Sequence, residues 1–183
     1  MSDPTSLRNA DPLQQMKAAA VNHRELFCVS ALAAGGEIRV ADGVTWTYRG
    51  RNGAAMIAFP ELRPENAGTQ LDEIVEYYLR HPSPKLAGCW SLDPPEPYDL
   101  GVRLLARGFQ PGWRPCWMSL DLTQIASDLT RPSELTVSAD SQTDLRGFKN
   151  LPYTDPDEST SLEMTQQYSD RVRRFVARLD GKV

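Results

Sequence analysis

The chain is poor in the residues that build disulfide frameworks and metal sites. Its 183 residues include three cysteines and two histidines. These cysteines, Cys28, Cys89 and Cys116, are far apart in the sequence and odd in number. They therefore fit neither a disulfide framework nor a zinc knuckle. Neither His23 nor His81 lies at ligand spacing to a cysteine. We therefore expect a reduced, cytoplasmic compartment and no metal site.

Long apolar runs and basic runs are also missing. The first 21 residues lack an apolar signal core, and no stretch approaches the roughly 18 apolar residues of a membrane span. Lys and Arg number 20 against 24 Asp and Glu, which gives a net charge of −4. This balance argues against a general nucleic-acid binder. We expect neither nucleic acid nor a membrane as a partner, while a local basic cleft for one phosphorylated ligand stays open.

The pattern of the first 36 residues predicts one well-marked helix. Asn22 is a good N-cap and Glu25 stands three residues later, as in a capping box. Gly35-Gly36 ends the apolar side of this helix. Residues 1–21 carry weaker signals, because Asp11-Pro12 suits either a short helix or the end of a loose tail.

A meander of three strands is predicted over residues 37–59. Asp42-Gly43 is a strong hairpin signal, and Val44, Trp46 and Tyr48 alternate with threonines. A helix, a strand, a helix and a strand follow, over 68–80, 86–92, 98–107 and 116–122. This order predicts an α/β (α+β) fold with a mixed, mainly antiparallel sheet flanked by helices.

The last third has the pattern of a linker and an unfinished unit. A polar linker over 125–134 precedes a strand at 135–139, a short helix at 144–149, a weak helix at 158–169 and an extended segment at 171–179. Asp180-Gly181 repeats the hairpin signal, but only two residues follow it. The sequence thus predicts either a cut chain or an open edge strand. An open edge tends to pair with another chain, such as a second copy in a homodimer.

The order of elements, with Asp99–Phe109 and Arg107–Leu122, resembles the GNAT family of acyl-CoA-dependent N-acetyltransferases. In that fold the last helix ends in a Gly-Phe pair that leads into the final strands. Arg174–Val183 is similar to an early hairpin of the same family. The resemblance implies a tandem protein, with a degenerate GNAT-like domain over 22–124 and the incomplete start of a second over 135–183.

The family binds the acetyl-CoA pyrophosphate in a Q/R-x-x-G-x-G/A loop at the start of a helix, where amides and the helix dipole hold an anion. In this chain the resemblance assigns that place to Asn66, Ala67, Gly68 and Thr69. Glu65 and Gln70 stand at the first and last motif positions. An acidic side chain repels phosphate and a long one crowds the backbone. The alternative interpretation, a polar loop that caps a helix, is favoured.

The general-acid tyrosine of many family members corresponds here to Leu104, five residues before Phe109. Leucine cannot donate a proton, and Tyr98 is out of register. We therefore expect no catalytic residue here, and a chain that is inactive alone, although its family transfers acetyl groups from acetyl-CoA to an amine or peptide substrate. The alternative is a non-catalytic GNAT-like module for binding or dimerisation.

Three weaker sets of residues complete the candidates. Aromatic side chains that could line a ligand pocket are more often core residues: Trp90, Trp113, Trp117, Tyr77 and Tyr78. Cys89 and Cys116 are expected to be inert, since no base is placed beside them. Four arginines of the last strand (171, 173, 174 and 178) suit a solubilising edge better than a phosphate site.

Overall fold

The computed structural model describes residues 10–50, 53–81, 86–112, 132–143 and 158–183. The chain divides into two compact units, Met1–Trp117 (unit 1) and Met118–Val183 (unit 2). Several predicted features lie outside the described residues: the strand over 116–122, most of the linker over 125–134, and the short helix over 144–149. No helix in the described ranges is both long enough and apolar enough to cross a membrane.

Unit 1 opens with helix α1, Pro12–Ala33. It begins at Pro12 and not at Asn22, so the predicted start is wrong. The working capping box belongs to Asp11: its side chain accepts a hydrogen bond from the Gln14 amide at 2.8 Å, and the Asp11 amide donates to Gln14 Oε1 at 2.9 Å. Asn22 lies exposed within the helix. Capping residues are also common on exposed helix faces, so their pattern alone does not place a helix start.

Three antiparallel strands follow α1, as predicted: β1 (Glu37–Ala41), β2 (Val44–Tyr48) and β3 (Ala54–Ala58). Asp42 and Gly43 have φ of 45° and 82°, the left-handed pair that a two-residue hairpin turn requires. Gly36 lies so close to β2 that an added Cβ would stand 2.0 Å from the Tyr48 carbonyl oxygen. Only glycine fits there, which brings the end of α1 against the meander.

Helix α2 (Ala67–Arg80) leads to strand β4 (Leu86–Trp90), which pairs with β3 in parallel. The sheet order is β1-β2-β3-β4. Helix α3 (Leu100–Leu105) is shorter than predicted. The result is a mixed, mostly antiparallel sheet flanked by helices, which confirms the predicted fold class at this level.

The two long helices cover opposite faces of the sheet. Ala55 and Ile57 of β3 pack in one cluster with Leu71 of α2. Ala58 packs in a second cluster with Ala20 of α1. Since odd and even residues of a strand face opposite sides, α1 and α2 lie on different faces.

Unit 2 contains strand β5 (Leu135–Ala139), helix α4 (Glu158–Gln167) and strand β6 (Phe175–Leu179). The strands pair antiparallel, from Leu135 opposite Leu179 to Ala139 opposite Phe175. β6 is shorter than the predicted extended segment over 171–179. Asp180 and Gly181 adopt positive φ, of 50° and 74°, and the turn closes through a bridge between Leu179 and Lys182.

Candidate functional site

The predicted phosphate loop lies at the start of α2, immediately after the segment that leaves β3. Asn66 is the N-cap, and Ala67, Gly68 and Thr69 form the first helical positions. These four consecutive residues therefore form the first turn of α2. The Asn66 side chain makes no capping hydrogen bond, and its buried Oδ1 has no partner among the described residues. The Ala67 amide donates to the Arg63 carbonyl at 2.9 Å. The amides that follow it in the first turn have no intrahelical carbonyl to bind, so they suit an acceptor.

Two arginines from α3 and its end converge on this turn. A methyl group placed on Gly68 would lie 3.6 Å from Nη2 of Arg107 and 3.7 Å from Nη1 of Arg103. Arg107 Nη2 donates to the Gly68 carbonyl at 2.8 Å, and Arg107 Nη1 donates to the Arg103 carbonyl at 2.9 Å. Two guanidinium groups thus stand beside a glycine at a positively polarised helix end. We call Gly68, Arg103 and Arg107 the arginine cluster.

Two exposed carboxylates accompany the arginine cluster. Asp72 accepts from Arg107 Nε at 2.8 Å, and Asp99 accepts from Arg103 Nε through both carboxylate oxygens at 2.9 Å. The hydrogen bonds from Arg103 lower the pKa of Asp99 below its usual value. The carboxylates of Asp99 and Asp72 are 50% and 68% exposed, whereas the side chains of Arg103 and Arg107 are 27% and 17% exposed. An incoming phosphate would compete with these two carboxylates for the guanidinium groups.

The pattern of the sequence did not reveal these arginines. Arg107 lies 35 and 39 residues along the chain from Asp72 and Gly68, the α2 residues that it binds. The available signal was the four-residue spacing of Asp99, Arg103 and Arg107, which places all three on one face of a helix. That spacing indicates a charged face, but not what the face contacts.

The two residues that argued against phosphate binding occupy different surroundings. Glu65 is exposed. Gln70 is buried, and its amide Nε2 donates to the Asp42 carbonyl in the β1–β2 turn at 3.4 Å. The long side chain at the last motif position is thus directed at the turn, and the negative charge of Glu65 remains the main argument against an anion.

Leu104, which the resemblance places at the position of a general acid, is a partly buried residue at the core of unit 1. Leu104 and Phe109 pack against the cluster between the sheet and α2, and Tyr98 is 87% exposed. Tyr78 is buried and donates its hydroxyl to the Thr47 carbonyl at 3.4 Å, and burial raises its pKa far above the usual value. Neither tyrosine therefore takes the place of Leu104.

The remaining candidates are structural in the described ranges. Trp90 packs with His23, Phe27 and Phe59, at centroid distances of 4.9, 6.0 and 6.3 Å. Burial raises the pKa of Cys89 to about 12, so its thiol stays protonated at neutral pH. Trp113, Cys116 and Trp117 lie outside the described residues.

In the described ranges, no group of three or more His, Cys, Asp or Glu side chains could hold a metal ion.

Comparison with known proteins gives no relative. No family model, no curated protein and no solved structure matches the chain.

Proposed function

We propose that the chain acts as a non-catalytic, GNAT-like unit of an N-acetyltransferase, and that unit 1 binds the phosphate groups of acetyl-CoA at the arginine cluster. The observation that carries this proposal is the convergence of Arg103 and Arg107 on Gly68 at the start of α2. A helix end and two guanidinium groups supply charge-assisted donors for a pyrophosphate.

The order of elements supports the GNAT-like scaffold. A three-strand meander is followed by α2, β4 and α3. Gly108 follows with φ of 85°, and the Phe109 amide donates to the Leu104 carbonyl at 3.2 Å. This corner corresponds to the Gly-Phe pair on which the resemblance rests.

The same corner argues against acetyl transfer by the chain itself. In the family reaction a base removes the proton of the amine, backbone amides polarise the thioester carbonyl, and an acid protonates the leaving thiolate. Leu104 occupies the position of that acid and packs in the core. The scaffold would bind the cofactor while the thiolate lacks its proton donor.

Calorimetric titration with acetyl-CoA tests the binding half of the proposal. We expect saturable binding that weakens with added salt, and at least a tenfold loss, equivalent to about 1.4 kcal/mol, in the double variant Arg103→Gln/Arg107→Gln. Arg80→Gln is the matched control, since Arg80 is an exposed arginine of α2 paired with Glu76. Absent binding, or equal binding by the double variant, would overturn this assignment.

A thiol-release assay with acetyl-CoA and a set of amines tests the inactivity. We expect no release above the rate without protein. Turnover that stays with the protein through repurification would show that the chain is an enzyme.

Dimerisation is a second candidate, which the open edge of unit 2 favours. β6 pairs with β5 along one edge, and no described strand pairs with the other. An unpaired edge presents amide and carbonyl groups to a second copy. Light scattering after size exclusion should then give twice the chain mass of 20.4 kDa, whereas a monomer at high concentration would exclude this candidate.

A further inference from the structure

A separate cavity of about 160 Å³ lies between α1 and the segments that follow β3 and β4. Phe59 comes directly after β3, and Leu92 comes shortly after β4. These two strands are the parallel pair of the sheet. Ligands of α/β proteins bind in crevices outside the carboxyl ends of such strands. The cavity therefore lies where this topology favours a small-molecule site.

The size and walls of the cavity limit what it can hold. Its apolar lining comes from Ala20, Val21, Phe59, Pro60 and Leu92. Engineered apolar cavities of about 150 Å³ hold one benzene molecule. The space therefore suits one phenyl or branched alkyl group and is too small for a nucleotide.

The wall residue Phe59 has a strained backbone. Its φ is 50°, in the left-handed region that bulky residues rarely adopt, and its side chain is buried. Two hydrogen bonds hold this conformation: the Phe59 amide donates to the Trp90 carbonyl at 2.7 Å, and the Phe59 carbonyl accepts from Arg24 Nη2 at 2.6 Å. Strain of this kind accumulates at sites that must be held in a fixed shape.

Charged groups of both signs surround the cavity. Arg24 is occupied, because it also donates to the Ala58 carbonyl at 3.1 Å and pairs with Glu61 at 3.4 Å. Lys17 lies seven residues earlier, on the same face of α1, and Glu96 lines the cavity from the proline-rich segment that follows β4. Within the part of the chain that the structure describes, neither Lys17 nor Glu96 has a hydrogen-bond or ion-pair partner. One cation and one anion are thus available at the rim.

We propose that this cavity binds a free α-amino acid with a large apolar side chain. The side chain fills the space against Phe59 and Leu92, the carboxylate meets Lys17, and the ammonium group meets Glu96. A ligand with a single charge would leave one rim group without a partner, and glycine would leave the cavity empty. The site goes beyond the proposed acetyl-CoA site, from which it differs in every residue.

Calorimetric titration of the full chain with phenylalanine and leucine tests the proposal. We expect both to bind. We expect at least a tenfold weaker affinity for glycine, which lacks the side chain, and an affinity about fivefold weaker for phenethylamine and 3-phenylpropionate, which lack the carboxylate and the ammonium group in turn. Absent binding of phenylalanine and leucine would overturn the site. Equal affinity for toluene would overturn the role of the two charges.

Three variants locate the binding. Val21→Trp blocks the cavity from a position that is already 58% exposed, so folding should survive, and we expect phenylalanine binding to be lost. Lys17→Gln and Glu96→Gln should each weaken binding about fivefold, as expected for single exposed charge contacts, with Glu73→Gln on α2 as the unaffected control. Unchanged affinity in Val21→Trp would overturn the site. Acetyl-CoA titration of the same variants should be unaltered, so this test and that of the arginine cluster fail independently.

Discussion

Unit 1 and unit 2 use similar elements but differ in how much apolar surface those elements bury. In unit 1 the largest fully buried side chains come from the sheet and all three helices, among them Ile57, Leu71, Leu100 and Val29. In the described part of unit 2, Val176 is the one hydrophobic core residue, and Val137, Phe175 and Leu179 are at least half exposed.

The register of the hairpin explains this exposure. Leu135, Val137 and Ala139 lie opposite Leu179, Ala177 and Phe175, so their side chains share one face of the two-stranded sheet. Two strands alone are marginally stable in water. An alternating pattern therefore predicts a strand correctly without ensuring that its apolar face is covered.

The largest expected effect is a loss of stability in unit 1, the better-packed unit. Ile57→Ala removes a fully buried side chain from the centre of the unit 1 cluster and should lower the free energy of unfolding by about 2–5 kcal/mol. Urea denaturation followed by circular dichroism measures this change. A loss below about 1 kcal/mol would contradict a rigid core in unit 1.

The hydrogen exchange of the two units should differ in the same direction. Amides of β2 and β3 are expected to exchange by global unfolding, and those of β5 and β6 by smaller openings, because few buried contacts hold the hairpin. Mass spectrometry of peptides that cover each strand measures the protection. Uniform protection across both units would contradict the comparison.

Acid should act on unit 2 through Asp140. Its carboxylate accepts from the Thr143 hydroxyl at 2.6 Å and amide at 2.7 Å, from Arg178, and from the Gln142 amide at 2.8 Å. These hydrogen bonds hold its pKa far below the usual value. Because the pKa is lower in the folded state, the stabilisation is complete above the unfolded value of about 3.9 and is lost as the pH falls below it.

The variant Asp140→Asn tests this dependence. We expect faster amide exchange of β5 and β6 in the variant than in the wild type at neutral pH. When the pH falls from about 4 to about 2, the further loss of protection should be smaller in the variant, because it lacks the carboxyl group that titrates. Asp170→Asn is the control, since Asp170 is exposed in the same unit. Equal acid sensitivity of the wild type and Asp140→Asn would refute the role of this carboxylate.

A smaller effect concerns the start of α1. Asp11→Ala removes the capping box and should lower the free energy of unfolding of unit 1 by about 1 kcal/mol. Asn22→Ala is the matched variant, because Asn22 resembles a cap in sequence but lies exposed within the helix. Its replacement by a better helix former should be neutral or slightly stabilising. A larger loss in Asn22→Ala than in Asp11→Ala would mean that the helix begins at Asn22.

The smallest expected effect on stability is that of a substitution on the exposed face of the β5–β6 hairpin. Val137→Ala should change stability by less than about 0.5 kcal/mol, as exposed substitutions usually do. Thermal denaturation of the full chain measures it. A loss of 2 kcal/mol or more, typical of a core residue, would show that this face is covered in solution.

Much of the local structure of unit 1 followed from sequence patterns. The Asp42-Gly43 turn, the strand β2 and the helix α2 follow from short-range signals, and the structure confirms these elements. The alternation of β2 did not identify its buried side chains, because Thr47 is 1% exposed. The start of α1 did not follow, because residues 12–21 have no continuous apolar stripe and only Ala20 among them is buried. Alanine-rich propensity and the Asp11 cap act there without a periodic pattern.

The candidate sites also depend in part on local sequence signals and in part on long-range contacts. Local sequence signals were sufficient for most of the elements and for the place of Gly68 at the start of a helix, because turns, caps and periodicity involve residues a few positions apart. The folded chain, and no local pattern, brings Arg103 and Arg107 to Gly68 and places Lys17, Phe59 and Glu96 around one cavity. Those contacts join residues that are tens of positions apart in the sequence. They form because the helices pack on the sheet, and a local sequence pattern carries no information about that packing.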